Sequence, residues 1–469
     1  MAGFIFSIYK EENIEGAKKC IKQGIYASKV PNDKLSSKEN ENSSNKSKQV
    51  MAAVLADYCS MQAGDNVYFL SDRRIYGVGK LVNVGPDCKY KNYLDANIFE
   101  KKEGVREEDQ PLMKLSPEYR WLCFFKPDQH FFAEGVDMDE VLSYKPLAFR
   151  MLRAFQDVTF IKIDDEENRA LKECIYLKNR EKKKYFEYNS SEHKRVLKFD
   201  LEKYLINPGE TIKTEFDYDK NEINTEMLLE AWTIDFISKK GFEGEKYNYV
   251  THQVIASPFK PLAYIDKMDI FAYRYLEEYP DLEKPIEKYM VIELKKGKAT
   301  RNFPLQLMRY VDWISKEYAA GDYSLIKAVG IAKGYPKGMQ KIIDEQCNRS
   351  YLSDLHPNIT SQWNDLSLYE YFMDKGNQLR IRKSNIFDPI LELKERFSNI
   401  GLKYNNGKIR INGGVYSPKF KVQSQKWAFF ERIDEEEKNV LSKNGWTVID
   451  VSKIKNRVEV NQLILELFR

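Results

Sequence analysis

Glu293 and Lys295 stand two residues apart in the apolar run that opens MVIELKKGKATRNFPLQLMRYVDWI, Met290 to Ile314. Side chains two apart on a strand point the same way, so a carboxylate and an ammonium project together from a segment that reads as covered. Buried charge is costly unless it is paired or has a task. A companion lies 24 residues upstream, where KMDIFAY sets Asp269 on a second apolar strand. If the two strands pair as a hairpin, both carboxylates meet at one end of a sheet. Two such oxygen ligands beside open water positions suit Mg²⁺, which takes one or two carboxylates plus substrate phosphate, and Mn²⁺ can replace it. The lack of histidine or cysteine in the set argues against Zn²⁺. Lys295 can then orient or deprotonate a water in line with a phosphodiester, while the ion stabilises charge on the phosphoryl oxygens.

The neighbouring elements must bring these residues together. From residue 222, EINTEMLLEAWTIDFISKKG has apolar positions at helical spacing and a capping-like NTEM start. Glu226 and Glu230 are i and i+4 on one face of that helix. Extended stretches follow at YNYVTHQVIAS and LAYIDKMDIFAYRYL, then the Glu293 strand, which Gly297 is expected to end. A helix over PLQLMRYVDWISKEYAAG and a strand at SLIKAVGIAKG complete the order of a small α/β core. On that helix a core aromatic stripe accounts for Trp313, whereas the Gln306 amide on the inner face needs a partner. Lys296, Lys298 and Arg301 can bind phosphates or coat a solvated turn. Asp266 is a rival for Asp269, but MDIFAY has the more continuous apolar setting. A second ELK, Glu392 to Lys394 in DPILELKERF, reads as helix, with Asp388 as cap and Pro389 in the first turn, and carries no site.

Asp269, IELK with Glu293 and Lys295, and QLMRY with Gln306 and Tyr310 resemble the PD-(D/E)XK nuclease superfamily. The Gln-x-x-x-Tyr helix is similar to that of its RecB-type and archaeal mismatch-endonuclease branches. The resemblance covers about 220–335 and implies a restriction-endonuclease-like core. It implies catalytic roles for Asp269, Glu293, Lys295 and Gln306, with Gln306 orienting the lysine or contacting DNA. It adds a helix glutamate near the metal, for which Glu226 fits TEMLLEAW better than Glu230, and it puts Tyr310 with Lys296, Lys298 and Arg301 near substrate. Met268 stands where the superfamily usually has proline.

Upstream, GDNVYFLSDRRIYGVGKLVNVG holds two strand-like runs, Val67–Leu70 and Ile75–Val84, around an SDRR turn, which signals a hairpin. Further strands are expected at Trp121–Phe125 and Val158–Ile163, with a helix over DEENRALKECIYLKN. The strand rhythm over about 50–170 resembles the PUA-like superfamily, in particular its EVE and YTH branch. That resemblance implies a small barrel that binds nucleic acid, with Tyr68, Phe69 and Trp121 available to stack on an extruded base. A barrel that mediates protein contacts is the competing reading.

Within 469 residues, 42% hydrophobic and 31% charged, there is room for several soluble domains. The net charge of +4 advertises no polyanion partner, so any such surface must be local. Six scattered cysteines without a CxxC pair suit a reduced cytoplasmic setting. No secretory signal and no membrane span are expected. The polar run 33–48 reads as a mobile loop, and the tail shows helices at 388–398 and 434–443, hairpin candidates near 402–422 and a strand at WTVIDV. The division is an N-terminal α+β PUA-like reader over 1–175, a charged linker over 176–215, the α/β nuclease core over 216–375 and a small α+β region over 376–469. The reading is a Mg²⁺-dependent DNA endonuclease that acts on double-stranded DNA. A homodimer would suit it, and it could be directed to modified or irregular DNA in restriction, defence or repair. The alternative is a non-catalytic nucleic-acid-binding or assembly protein with a nuclease-like structural core.

Overall fold

In a computed structural model of the protein the described residues are 2–8, 13–30, 41–99, 111–128, 134–149, 160–181, 188–256, 266–277, 285–355 and 357–469. The fold is mixed α/β with several sheets. By contacts it forms one unit of Met1–Lys298, Leu305–Lys333 and Arg349–Arg382, and a second of Ala299–Pro304, Gly334–Asn348 and Lys383–Arg469. No helix among the described residues is long and apolar enough to cross a membrane.

The first unit begins with β1 (Gly3–Ser7), α1 (Asn13–Gln23), β2 (Ile25–Lys29), α2 (Glu41–Ser60), β3 (Asn66–Ser71), β4 (Arg74–Leu81), β5 (Lys89–Lys91), β6 (Tyr119–Pro127), β7 (Val136–Asp137), α3 (Met138–Tyr144), β8 (Phe160–Ile163) and α4 (Asp165–Lys178). They build an eight-stranded, curled sheet in the order β2-β6-β4-β3-β1-β8, with β5 on β6 and β7 on β4. The expected hairpin is β3–β4, and its turn places Asp72 and Arg73 at φ 48° and 61°, the left-handed pair that matches strand twist. Strand β6 turns the corner, pairing with β5 up to Cys123, with β2 up to Phe124, and with β4 only from Phe125 to Pro127. Both faces are covered. Phe4, Phe6, Val67 and Phe69 enter a core with Leu55 and Tyr58 of α2, while Ile5, Tyr68 and Leu70 pack with Ala170 and Leu171 of α4. Tyr68, Phe69 and Trp121 are therefore fully buried and unavailable to a base. Tyr68 donates its hydroxyl to Asn168 at 2.8 Å, and Trp121 its indole N–H to Asn97 at 3.0 Å.

The polar run 33–48 lies outside the described residues up to 40, and from Glu41 it is the start of α2 rather than a loop. Packing of the helix's later turns extends it, and Lys48 reaches Glu215 at 3.0 Å. Residues 176–215 are likewise not a solvated linker, although 182–187 lie outside the described residues. Here α5 (Ser191–Val196), a 3₁₀ turn and α6 (Pro208–Thr214) bury Val196, Leu201 and Tyr204 against Tyr90, Leu122 and Phe124. Charged residues at the outward positions disguise these anchors in the sequence.

After the short pair β9 (Phe216–Asp217) and β10 (Glu222–Ile223) comes α7 (Glu226–Lys240). Thr225 caps it by accepting from Leu228 N, and Gly241 ends it at φ 73°, where a Cβ would meet the Glu245 carbonyl at 2.2 Å. Then follow β11 (Tyr249–Ile255), β12 (Lys267–Tyr275), β13 (Ile286–Lys298), α8 (Phe303–Glu317), β14 (Ile326–Gly334), α9 (Met339–Gln346), β15 (Arg349–Leu355), β16 (Asn358–Trp363), β17 (Leu366–Met373) and β18 (Leu379–Lys383). The second sheet runs β11-β12-β13-β14-β17-β18. Gly297 does not end β13, which continues to Lys298.

In the second unit, α10 (Pro389–Asn399) starts as expected, Asp388 accepting from Ile390 N and Leu391 N with Pro389 at the first turn. Behind it come β19 (Ile409–Ile411), β20 (Gly414–Tyr416), β21 (Phe420–Val422), β22 (Trp427–Phe430), α11 (Glu435–Lys443), β23 (Thr447–Asp450) and α12 (Arg457–Leu467). Leu393, Phe397, Phe420, Phe429 and Val460 form its core, the Phe420 and Phe429 rings stacked at 4.3 Å.

One core joins the two larger sheets. Helix α2 packs on α7, α2 also lies on β6 and β8, and α7 on β11, β12 and β13. At that seam His252 of β11 puts Nε2 3.0 Å from Asp57 Oδ1 of α2 and Nδ1 3.2 Å from Glu230 Oε2 of α7. Burial alone would lower the His252 pKa, but the Asp57 and Glu230 carboxylates overcome this and raise it to about 10. In the unfolded chain the imidazole titrates near 6.5, so its stabilisation is complete below that pH and is lost as pH rises towards 10. Denaturant unfolding should therefore show stability falling between pH 7 and 10. His252→Gln should remove about 3–5 kcal/mol at pH 7 by stranding two buried carboxylates, and should flatten that slope. A variant as stable as the parent at pH 7 would show that the imidazolium does not join the layers.

Candidate active site

Antiparallel pairing of β12 with β13 sets Ile270 opposite Ile292, so Asp269 and Glu293 stand one step further on, at facing positions. The Leu294 N–H donates to Asp269 Oδ2 at 2.7 Å. Both acids are buried, Asp269 at 8% exposure and Glu293 at 1%, because Met268, Ile270, Ile292 and Leu294 around them are core residues. Glu293 Oε1 accepts from Gln306 Nε2 of α8 at 2.6 Å and lies 3.0 Å from Lys295 Nζ. Its other oxygen, Oε2, is buried with no hydrogen-bond partner. Lys295 also reaches Glu226 Oε1, at the first turn of α7, at 3.1 Å. Asp269, Glu293, Lys295, Gln306 and Glu226 thus converge.

Electrostatics follow from burial. Desolvation, then the charges of Glu293 and Glu230, push Asp269 up to about 9. Glu293 is raised as well, by burial first, although Lys295 opposes it. Burial pulls the Lys295 ammonium down, but Glu293, Glu226 and Asp269 outweigh it and leave its pKa above the ordinary lysine range. At neutral pH Lys295 is a cation, suited to holding an anion or giving a proton rather than removing one from water. With its pKa raised this far, Asp269 holds its proton at neutral pH, and a bound cation would take that proton's place.

The remaining expected residues are placed differently from one another. Tyr310 is buried, its hydroxyl accepts from Gln306 Nε2 at 3.2 Å, and burial followed by the Glu293 charge raises it to about 12. It stands behind Gln306 as a support. Lys296 gives its backbone N–H to Glu226 Oε2 at 3.1 Å and its ammonium to the Asn224 carbonyl at 3.0 Å. Lys298 and Arg301 are exposed, and Asp266 is half-buried just before β12. Glu230 is engaged elsewhere, accepting from Gln253 Nε2 at 3.0 Å beside His252. Gln253 interrupts the ladder between the His252–Ile270 and Val254–Met268 pairs, with φ at 53°. A left-handed glutamine inside a strand is stored strain of the kind that gathers at working sites. The polar triplet Thr251-His252-Gln253 within an apolar strand was its signal in the sequence.

No group of three or more His, Cys, Asp and Glu side chains able to hold a metal ion occurs among the described residues. The hard-oxygen pair Asp269 and Glu293, with Glu293 Oε2 unsatisfied, nevertheless matches an ion that takes one or two carboxylates and keeps its waters. No family model and no curated protein matches the chain.

Glu293 is buried, its Oε2 lacks a hydrogen-bond partner and burial raises its pKa, so its charge should destabilise the fold. Glu293→Gln, with its amide able to donate towards Asp269, should stabilise the protein in EDTA by about 1–3 kcal/mol in denaturant unfolding at pH 8. A loss of stability would mean that Glu293 is held for structural reasons.

Proposed function

We propose that the protein is a Mg²⁺-dependent endonuclease that hydrolyses phosphodiester bonds in double-stranded DNA. The observation that carries the reading is the convergence of Asp269, Glu293, Lys295 and Gln306 at the end of β12–β13, with one Glu293 oxygen buried and unsatisfied. The order α7-β11-β12-β13-α8-β14 supports the likeness to the PD-(D/E)XK core. The curled first sheet supports the likeness to PUA-like readers, without the stacking residues expected of it.

Asp269 and Glu293 would hold the ion, with Glu226 one ammonium away. When bound it supplies positive charge against the phosphoryl oxygens and acidifies the attacking water. The chain's own residues do the rest. Gln306 and Lys295 fix the Glu293 carboxylate from two sides, and Tyr310 fixes Gln306. The Lys295 ammonium, half-exposed beside the acids, neutralises a phosphoryl oxygen or protonates the leaving group.

Supercoiled plasmid with Mg²⁺ should be nicked by the parent and by Lys394→Ala, but by none of Asp269→Asn, Glu293→Gln and Lys295→Ala. Mg²⁺ should also raise the melting temperature of the parent and of Lys295→Ala, and leave Asp269→Asn unmoved. Parent-level nicking by Lys295→Ala, or full nicking in excess EDTA, would sink the proposal.

A further inference from the structure

Gly401 to Phe430 contains no aspartate or glutamate, in a chain whose totals of 75 basic and 71 acidic residues nearly balance. The same span holds six cations, Lys403, Lys408, Arg410, Lys419, Lys421 and Lys426. Among the described residues only Lys419 of the six has an acidic partner, Glu431 just beyond the span at 2.6 Å, and Glu431 also takes Lys337 at 3.1 Å. The acidic run Asp434–Glu437 is spent on α11, Asp434 capping it through Glu437 N and Glu435 pairing Lys438.

The fold gathers these cations. In β19 the side chains alternate: Ile409 is buried in a core with Ala428, Phe430, Leu441 and Trp446, while Lys408, Arg410 and Asn412 are exposed. The β19–β20 turn at Asn412–Gly413, with φ 46° and 81°, sets this register. Reciprocal backbone bonds between Asn405 and Lys421, at 3.0 and 2.8 Å, lay the 403–408 segment along β21. Lys421 Nζ then reaches the Lys408 carbonyl at 3.1 Å. Solubility would be served by either sign of charge, so it does not account for a single sign.

We infer that this β19–β21 face of the second unit binds the phosphate backbone of duplex DNA. The inference rests on the nuclease reading for its choice of polyanion. Lys403, Lys408 and Arg410, exposed and without an acidic partner among the described residues, give up no ion pair on meeting phosphates and release counterions from DNA, which drives binding without reading sequence.

The test uses the full-length chain in EDTA, where no cleavage occurs, with a labelled duplex and anisotropy over a NaCl series. Lys403→Gln/Lys408→Gln/Arg410→Gln should weaken binding at least about tenfold and lower the slope of log Kd against log salt by about 2–3. Lys114→Gln/Lys198→Gln/Lys213→Gln, exposed lysines removing the same net charge elsewhere, should keep the slope. Lys403→Arg/Lys408→Arg/Arg410→Lys should also keep it, and a loss there would mean disturbed structure and overturn the inference. An unchanged slope in the first variant overturns it too, whether or not the parent nicks plasmid. A reduced slope beside a parent that never nicks keeps this surface and removes the nuclease reading. Parent binding to phosphatidylglycerol vesicles or single-stranded RNA but not to the duplex would overturn it in favour of another polyanion.

Discussion

His252 is an imidazolium closed between Asp57 of α2 and Glu230 of α7, and the placing of the two large sheets in the first unit follows from that contact. An apolar seam alone could settle into several near-equivalent packings, because hydrophobic contact is non-directional. Two hydrogen bonds from one ring to carboxylates on different helices admit only one. Burying three charges costs heavily unless each is satisfied, and here each carboxylate faces the shared cation. The apolar residues around it, among them Tyr58, Leu229 and Ile270, supply the stabilisation, while the ionic knot supplies the register. Residues on both sides of the expected boundary therefore share one unit, in which α2 covers a face of α7.

The knot reaches the candidate site through Glu230. Held by His252 and by the strained Gln253, this carboxylate lies close enough to Asp269 to help raise its pKa. Asp269 is then opposed by Glu293 on one side and Glu230 on the other, with Lys295 shared between Glu293 and Glu226. Such an arrangement is poor for stability and well suited to receiving positive charge. Conflict between local energetics and the surrounding core is expected where a site does chemistry, and the well-packed strands β12 and β13 are what tolerate it.

Where sequence pattern and local physics agree, elements were legible. The Thr225 and Asp388 caps, the left-handed Asp72–Arg73 turn and the two-residue periodicity that separates Glu293 from the helical Glu392 all depend on neighbours within a few residues. Asp269 stands opposite Glu293, as hairpin pairing of the apolar MDIFAY stretch with the Glu293 strand requires. What escaped depended on distant contacts. Val196, Leu201 and Tyr204 sit among so many charges that only the sheet they cover reveals them as core. Tyr68 and Trp121 looked like a stacking platform because alternation cannot tell a sheet covered on one face from one covered on both. His252 was invisible for the same reason, since Asp57 lies 195 residues away.

A net charge of +4 hides a separation that matters more than the total. In the first unit several carboxylates are drawn inward, where Asp57, Asp269 and Glu293 are raised by desolvation. In the second, Lys403, Lys408 and Arg410 of one acid-free span are exposed, and among the described residues none of the three has an acidic partner. Buried acids attract a small hard ion at short range, and exposed bases attract an extended polyanion over a Debye length, roughly 10 Å at 0.1 M salt. The proposed phosphodiester substrate combines both demands, because its chemistry is local and its charge is not. The two features were built by different parts of the chain, one by strand pairing deep in a sheet and the other by a surface hairpin.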